Sequence, residues 1–172
     1  MTDSSPSITS QELFKSGMQL LASTVTLITS AIGERRAGMA ATAVTSLAAD
    51  PPSLLVCAQR TSRTHGFIMD SRKFAVNLVP DSCPEIVEVF ASKGDPEEQF
   101  LAVGTWNRAD NGMPILAEAV ASFSCRVRDW ANTKTHTVFF GIVEDVQVRP
   151  ETSPLIYARQ SFHRIKHIGS SP

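Results

Sequence analysis

The sequence predicts a mostly β domain of antiparallel strands, in a barrel or a sandwich, with a few short helices. Three observations carry this. Alternating runs rich in β-branched and aromatic residues recur at 24–30, 73–79, 119–127 and 135–148. Turn signals, among them Gly33, Asp50-Pro51-Pro52 and Asn111-Gly112, separate the strands closely. Segments of helical period are short and too few to alternate with the strands, which favours antiparallel pairing over a parallel βαβ sheet.

Taken in order, residues 1–10 are rich in Ser and Thr and read as a tail. Residues 11–22 read as a helix, with Leu13, Phe14, Met18 and Leu21 on one side and Ser10 as its cap. A strand at 24–30 leads into a turn at 33–38. Two strands follow, 39–48 and 53–59, broken by Asp50-Pro51-Pro52. Thr61-Ser62-Arg63-Thr64 precedes a short helix at 65–69, and 73–79 is a strand. A helix at 83–92 has Pro84 in its first turn. Residues 93–112 are polar and irregular, a connector or lid that Trp106 pins down. Strands at 119–127 and 135–148 follow, the second bent at Gly141. A short element at 154–162 comes before the polar tail 166–172, so one domain is expected over 11–165.

The central stretch is 37–59. Its first half is small and hydroxylated: Ala40, Ala41, Thr42, Ala43, Thr45 and Ser46. Small residues in an extended segment admit a flat ligand close to the backbone, and hydroxyls offer it hydrogen bonds. The segment reads as a ligand-cradling hairpin.

Composition narrows the function. A chain of 172 residues with 42% hydrophobic and 19% charged residues can build a full core. A net charge of -1 argues against coating nucleic acid or an anionic membrane. The three cysteines, Cys57, Cys83 and Cys125, are widely spaced, which fits a reducing cytoplasm better than a disulfide framework. The N-terminal residues lack the apolar segment of a signal peptide, and no apolar run reaches the ~18 residues of a membrane span.

Familiar motifs are absent. No G-x-G-x-x-G supports a Rossmann site, Met39-Ala40 stands where a P-loop needs Lys-Ser/Thr, and no G-x-S-x-G elbow occurs. His163 and His167 share helical spacing without a carboxylate ligand, so no metal is expected. Asp81, Glu85 and Glu88 read as a solvated acidic face. Two features can bear chemistry. Residues 61–64 join three hydroxyls and a guanidinium to a helix N-terminus, which suits a phosphate. The same residues also suit a simple helix-capping turn. His136 opens a long strand and either faces a pocket at the strand edge or stands in solvent. Phe139 and Phe140 divide between core and interface.

A resemblance adds to this. The order and spacing of several segments resemble the flavin reductase family, the short-chain reductase components of two-component monooxygenases. These are Gly38-Met39, Ala41-Thr42-Ala43-Val44-Thr45-Ser46-Leu47, Asp50-Pro51-Pro52 with the following Leu54-Leu55-Val56-Cys57, Ser62-Arg63-Thr64, Phe74-Ala75-Val76-Asn77-Leu78 and Phe90-Ala91. Gly112-Met113-Pro114-Ile115-Leu116, His136-Thr137-Val138-Phe139-Phe140-Gly141 and Pro154-Leu155-Ile156-Tyr157 continue it over roughly 15–162. The resemblance implies an FMN-binding split β-barrel, antiparallel and homodimeric. It implies an NAD(P)H:flavin oxidoreductase acting on FAD or FMN with NADH or NADPH. Reduced flavin would pass to a partner monooxygenase, an FADH2-dependent aromatic hydroxylase in aromatic degradation. A corrin or other reductase, or a pyridoxamine-phosphate-oxidase-like protein, on the same barrel, and a non-catalytic flavin or haem binder, are the alternatives.

By the same resemblance Ala41, Thr42, Ala43, Val44, Thr45 and Ser46 line the isoalloxazine edge. Cys57, Ala58 and Gln59 lie beneath the ring. Ser62, Arg63 and Thr64 hold the flavin phosphate, and Phe90, Ala91 and Ser92 touch the flavin from a helix. His136 orients the nicotinamide. The chain departs from the family at Ala40, where many members have Thr. It departs again at Lys134-Thr135, where Gly and an acidic residue usually precede the histidine.

Overall fold

The computed structural model describes residues 9–166 and 169. Chain order is α1 (Ser10–Gln19), β1 (Ser23–Thr24), β2 (Thr26–Ile32), β3 (Arg35–Ala41), β4 (Val44–Ala49), β5 (Pro52–Gln59) and α2 (Arg63–Ser71). Then come β6 (Lys73–Leu78), α3 (Glu85–Ala91), α4 (Pro96–Ala102), β7 (Trp106–Arg108) and β8 (Pro114–Leu116). The chain closes with β9 (Ala121–Asn132), β10 (His136–Val148), β11 (Ile156–Ala158) and β12 (Ser161–His163).

Seven strands form one antiparallel sheet in the order β3-β2-β6-β9-β10-β5-β4. Its two edge strands, β3 and β4, are consecutive in the chain, joined through Thr42-Ala43. The sheet therefore folds back on itself without a ladder between its edges, as a split barrel does. Ile28, Val56, Ala58, Phe74, Val76 and Phe139, all fully buried, fill its interior with Cys125. Burial pushes the Cys125 thiol up to about 12, with Glu144 adding to the effect, so this cysteine is an inert core residue.

A second core lies under α3 and α4, where Leu27, Val79, Ile86, Phe90, Phe100 and Leu116 meet. Between the cores sits Asn77, at 0% exposure. Its amide donates to the Leu27 carbonyl at 3.3 Å and to Thr29 Oγ1 at 3.2 Å, and its oxygen accepts from Leu116 N–H and Ser122 Oγ, each at 2.9 Å. Every polar atom of the side chain is satisfied, which is why an amide is tolerated there.

The expected strands are all present, with several boundary differences. The turn closing β2 is only Gly33-Glu34, and Arg35 to Gly38 already belong to β3. The single strand expected over 39–48 breaks at Thr42-Ala43 into β3 and β4. Thr9 rather than Ser10 caps α1, because Glu12 sits at the third helical position and closes a reciprocal capping box with it. The region 93–112 is not irregular: it holds α4 and β7. Asp95 accepts from the N–H groups of Glu97 and Glu98 as the cap, and Pro96 occupies the first turn. Trp106 does pin this region, its ring 4.6 Å from Phe100 and 5.5 Å from Phe90. The bend at Gly141 coincides with a register shift in the β9–β10 ladder, and a Cβ at that glycine would lie 2.5 Å from the Phe74 ring. The tail residues 1–8 and 170–172, together with His167, lie outside the described residues.

Candidate functional site

Helices α2, α3 and α4 and strands β3 and β5 build a groove of about 530 Å³. The floor is Ala37, Gly38 and Met39 of β3, one wall is Gln59 with residues 61–64, and the other is residues 90–94. The turn 61–64 takes its shape from β5 ending at Gln59, whose carbonyl accepts from the Ser62 N–H at 2.9 Å. Ser62 then caps α2, its Oγ accepting from the His65 N–H at 3.1 Å. The remaining first-turn N–H groups of α2 lack helical partners, and the helix dipole gives this end partial positive charge.

The electrostatics of the groove are one-sided. Arg63 and Lys93 line it and, among the described residues, no carboxylate does. Arg63 reaches across, its guanidinium donating to the Gly94 carbonyl at 2.9 Å. Three hydroxyls, a guanidinium and a helix N-terminus form a donor set that fits a phosphate, so the residues present suit a nucleotide-type cofactor. Among the described residues no cluster could hold a metal ion, and His163 Nε2 lies 3.0 Å from the Ala158 carbonyl.

The opposite wall is held rigidly. Gln99, 8% exposed, donates to the Val89 and Ser92 carbonyls at 3.0 and 3.1 Å. Glu97 accepts from the Arg36 backbone N–H and guanidinium, both at 2.7 Å, and these bonds hold its carboxyl below the usual range. That clasp fixes α4 on β3.

The sequence-predicted residues divide between two places. Gln59, Ser62, Arg63, Thr64, Phe90, Ala91 and Ser92 share the groove. Thr42, Val44, Thr45 and Ser46 instead line a cavity of about 530 Å³ at the barrel mouth, with Thr26, Leu54, Val76 and Phe123. Ala41 packs against the barrel core, and the Ala43 carbonyl accepts from the Cys57 N–H at 3.1 Å. Ala58 is fully buried in that core, so it presents only backbone outward, whereas Cys57 is half-buried and Gln59 exposed. The hairpin 37–59 thus runs from the groove to the barrel mouth. Phe90 is a wall, not a free stacking surface: it is 4% exposed and packs on Phe100 and Trp106. Gly38 serves this contact, since a Cβ there would lie 2.5 Å from the Phe90 ring.

His136 is exposed at the first position of β10, directly opposite Gln59 in the β5–β10 ladder. Register therefore brings it to the groove's rim. Its Nδ1 is 2.9 Å from Thr135 Oγ1, a bond that orients the ring.

Sequence reasoning missed Lys93, Gly94 and Gln99 as lining residues. The Asp95-Pro96 start signal could have revealed α4 and with it Gln99. It also missed His65, half-buried on α2, whose pKa is held below the ordinary 6.5 first by burial and then by Arg60. In acid the unfolded chain takes up a proton that the folded chain resists. The stability tied to His65 is therefore present above 6.5 and lost as pH falls through the lower folded value. Urea midpoints at about pH 7 and about pH 5.5 should show a larger acid loss for the wild type than for His65→Phe.

A family model described as "Flavin reductase like domain" matches residues 18–166. The chain is 38% identical over 151 residues to the FADH(2)-dependent resorcinol hydroxylase reductase component of Rhizobium sp., covering 87% of this chain and 84% of that one. It is 33% identical over 162 residues to the FMN reductase (NADH) RutF 1 of Methylorubrum extorquens, covering 92% and 80%. Among solved structures, a homologue of nitrilotriacetate monooxygenase component B from Mycobacterium thermoresistibile superposes with a TM-score of 0.85 at 28% identity, covering 94% and 90%.

Proposed function

The chain belongs to the flavin reductase like domain family, and from that premise we infer that it passes hydride from NADH or NADPH to a flavin. The reduced flavin goes to a partner monooxygenase, as with reductase components among its relatives. The observation that carries this reading is the groove. It joins an anion-suited turn to a lining that, among the described residues, has no carboxylate, and His136 stands in register with its rim residue Gln59.

Roles follow from chemistry. Thr61, Ser62, Arg63 and Thr64 bind the flavin phosphate through hydroxyls, first-turn N–H groups and the guanidinium. Residues 41–46 and 57–59 of the hairpin border the ring system, and Ala91 and Ser92 close the other side. His136 binds and orients the nicotinamide, holding its reacting carbon near the acceptor. When bound, the flavin accepts the hydride, and that chemistry is the cofactor's own. The protein needs no nucleophile, consistent with Cys125 being buried and inert.

The finer reading is a cytoplasmic homodimer with an aromatic hydroxylase as partner. Helix α1 and the residues just after it support the dimer: Leu13, Phe14 and Met18 of α1, with Leu21 beyond its end, are 49–67% exposed, an apolar face that a second subunit would cover. The three free cysteines suit a reducing compartment, and among the described residues no helix is long and apolar enough to cross a membrane.

The test is a matrix of FAD and FMN against NADH and NADPH. Protein-dependent nucleotide oxidation that needs added flavin supports the reading, and none in any cell of the matrix refutes it. Within that assay His136→Ala should raise KM for the nucleotide by roughly three- to tenfold, the effect of one hydrogen bond, with flavin affinity nearly intact. Collapse of flavin binding instead would show that His136 serves the flavin.

A further inference from the structure

Behind the anion turn, a second line of polar groups runs inward from α2 to the β9–β10 hairpin. The Ser62 cap fixes His65 in the first turn of α2. The His65 ring leans on Phe139, centroids 5.4 Å apart, and its Nε2 lies 2.9 Å from Thr137 Oγ1. Thr137 Oγ1 in turn donates to Asn132 Oδ1 at 2.8 Å. Thr137 is at 0% exposure, so water does not replace these partners.

The proton count fixes the direction. A hydroxyl has one proton, and an amide oxygen can only accept. Thr137 therefore gives its proton to Asn132, and its oxygen accepts from His65 Nε2–H. That puts a proton on His65 Nε2, and burial and the nearby Arg60 favour the uncharged form of the ring.

Asn132 is the last residue of β9 and Thr137 the second of β10, so the pair flanks the turn that presents His136. The turn is further braced. Thr133 Oγ1 accepts from the His136 N–H at 3.0 Å and donates to its carbonyl at 2.9 Å, and the Arg60 N–H donates to the Thr135 carbonyl at 3.0 Å. His65 connects this braced turn to the helix whose N-terminus forms the anion site.

We propose that His65, Thr137 and Asn132 are positioning residues that set the His136 hairpin relative to the anion-binding turn, and so fix the nicotinamide site relative to the flavin site. This rests on the role given to His136 above. The three residues act through His136. The alternation of β10 turns Thr137 into the core while His136 faces out.

The test uses the full chain and four substitutions. Thr137→Val keeps the shape and removes the hydroxyl, and Thr137→Ser keeps the hydroxyl. His65→Phe keeps a ring against Phe139, and His136→Ala removes the group being positioned. Thr137→Val and His65→Phe should each raise KM for NADH by roughly three- to tenfold, as for a lost buried hydrogen bond, with flavin Kd unchanged within about twofold. Thr137→Ser should behave as wild type. In the His136→Ala background, Thr137→Val should add almost nothing, because the group it positions is gone.

Full additivity in that double variant, or a parallel loss of flavin affinity, overturns the proposal. So does a folded His65→Phe protein with wild-type KM, which decides the matter even if Thr137→Val fails to fold. If His136→Ala alone leaves KM for NADH unchanged, the role of His136 falls and the relay falls with it. If His136→Ala raises KM and the relay variants do not, only the relay is wrong.

Discussion

Replacing Arg63 with alanine is expected to weaken flavin binding by roughly ten- to a hundredfold, while kcat at saturating flavin stays close to wild type. The guanidinium is the strongest donor lining the groove, beside the three hydroxyls and the N-terminus of α2. A hydrogen bond between a charged donor and a phosphate is worth about 1.5–3 kcal/mol net. Two effects pull toward the lower end. Arg63 is exposed, so solvent and salt screen it, and it must release the Gly94 carbonyl to reach an anion. The loss should therefore be largest at low ionic strength. Arg63→Lys should recover only part of it, because an ammonium lacks the planar fork. Titration of flavin fluorescence checks this, and an unchanged Kd in Arg63→Ala would reduce residues 61–64 to a helix-capping turn.

Gly38→Ala is the second large effect, on stability and binding together. The new Cβ would stand 2.5 and 2.8 Å from two atoms of the Phe90 ring and 3.4 Å from Phe100. Phe90 cannot swing aside, since it is 4% exposed and Phe100 and Trp106 hold it on its other sides. Strand β3 and helix α3 must separate, an overpacking cost of about 1–3 kcal/mol. For a chain of this size that lowers Tm by roughly 2–12 °C. Because α3 leads into Ala91 and Ser92 of the groove wall, flavin affinity should fall as well. Gly17→Ala is the control: nothing lies within 4 Å of its added Cβ in the exposed helix α1, and alanine there should stabilise slightly. Equal melting temperatures for the Gly38→Ala and wild-type proteins would refute the contact.

The strands were legible because their physics is local. Residues of β2, β6, β9 and β10 alternate and are β-branched or aromatic, so the period alone marks them. Helix α4 was hidden for a local reason too: Asp95-Pro96 reads as a loop break, yet the same pair is a cap followed by a first-turn proline. The three-residue strands β7 and β8 are too short to show a period.

The site was legible in pieces. Residues 62–64 and 90–92 each carried a signal, but nothing in their spacing says they face one another. They meet because α2 and α3 both pack on β3, a tertiary fact. His136 beside Gln59 is a consequence of register. The contact between His65 and Thr137, 72 positions apart, had no sequence signature. The small residues of the hairpin were read as room for a ligand, and at Gly38 that room is filled by Phe90.

If this chain transfers hydride from a nicotinamide nucleotide to a flavin held at the 61–64 turn, the flavin must be reduced in a protein-dependent way. The most direct measurement mixes the protein, FAD or FMN, and NADH or NADPH without oxygen, and follows the visible absorbance of oxidised flavin. Bleaching should require the protein, be slowed by His136→Ala at limiting nucleotide, and need more flavin in Arg63→Ala. Bleaching no faster than in buffer, for every pairing of flavin and nucleotide, would contradict that transfer.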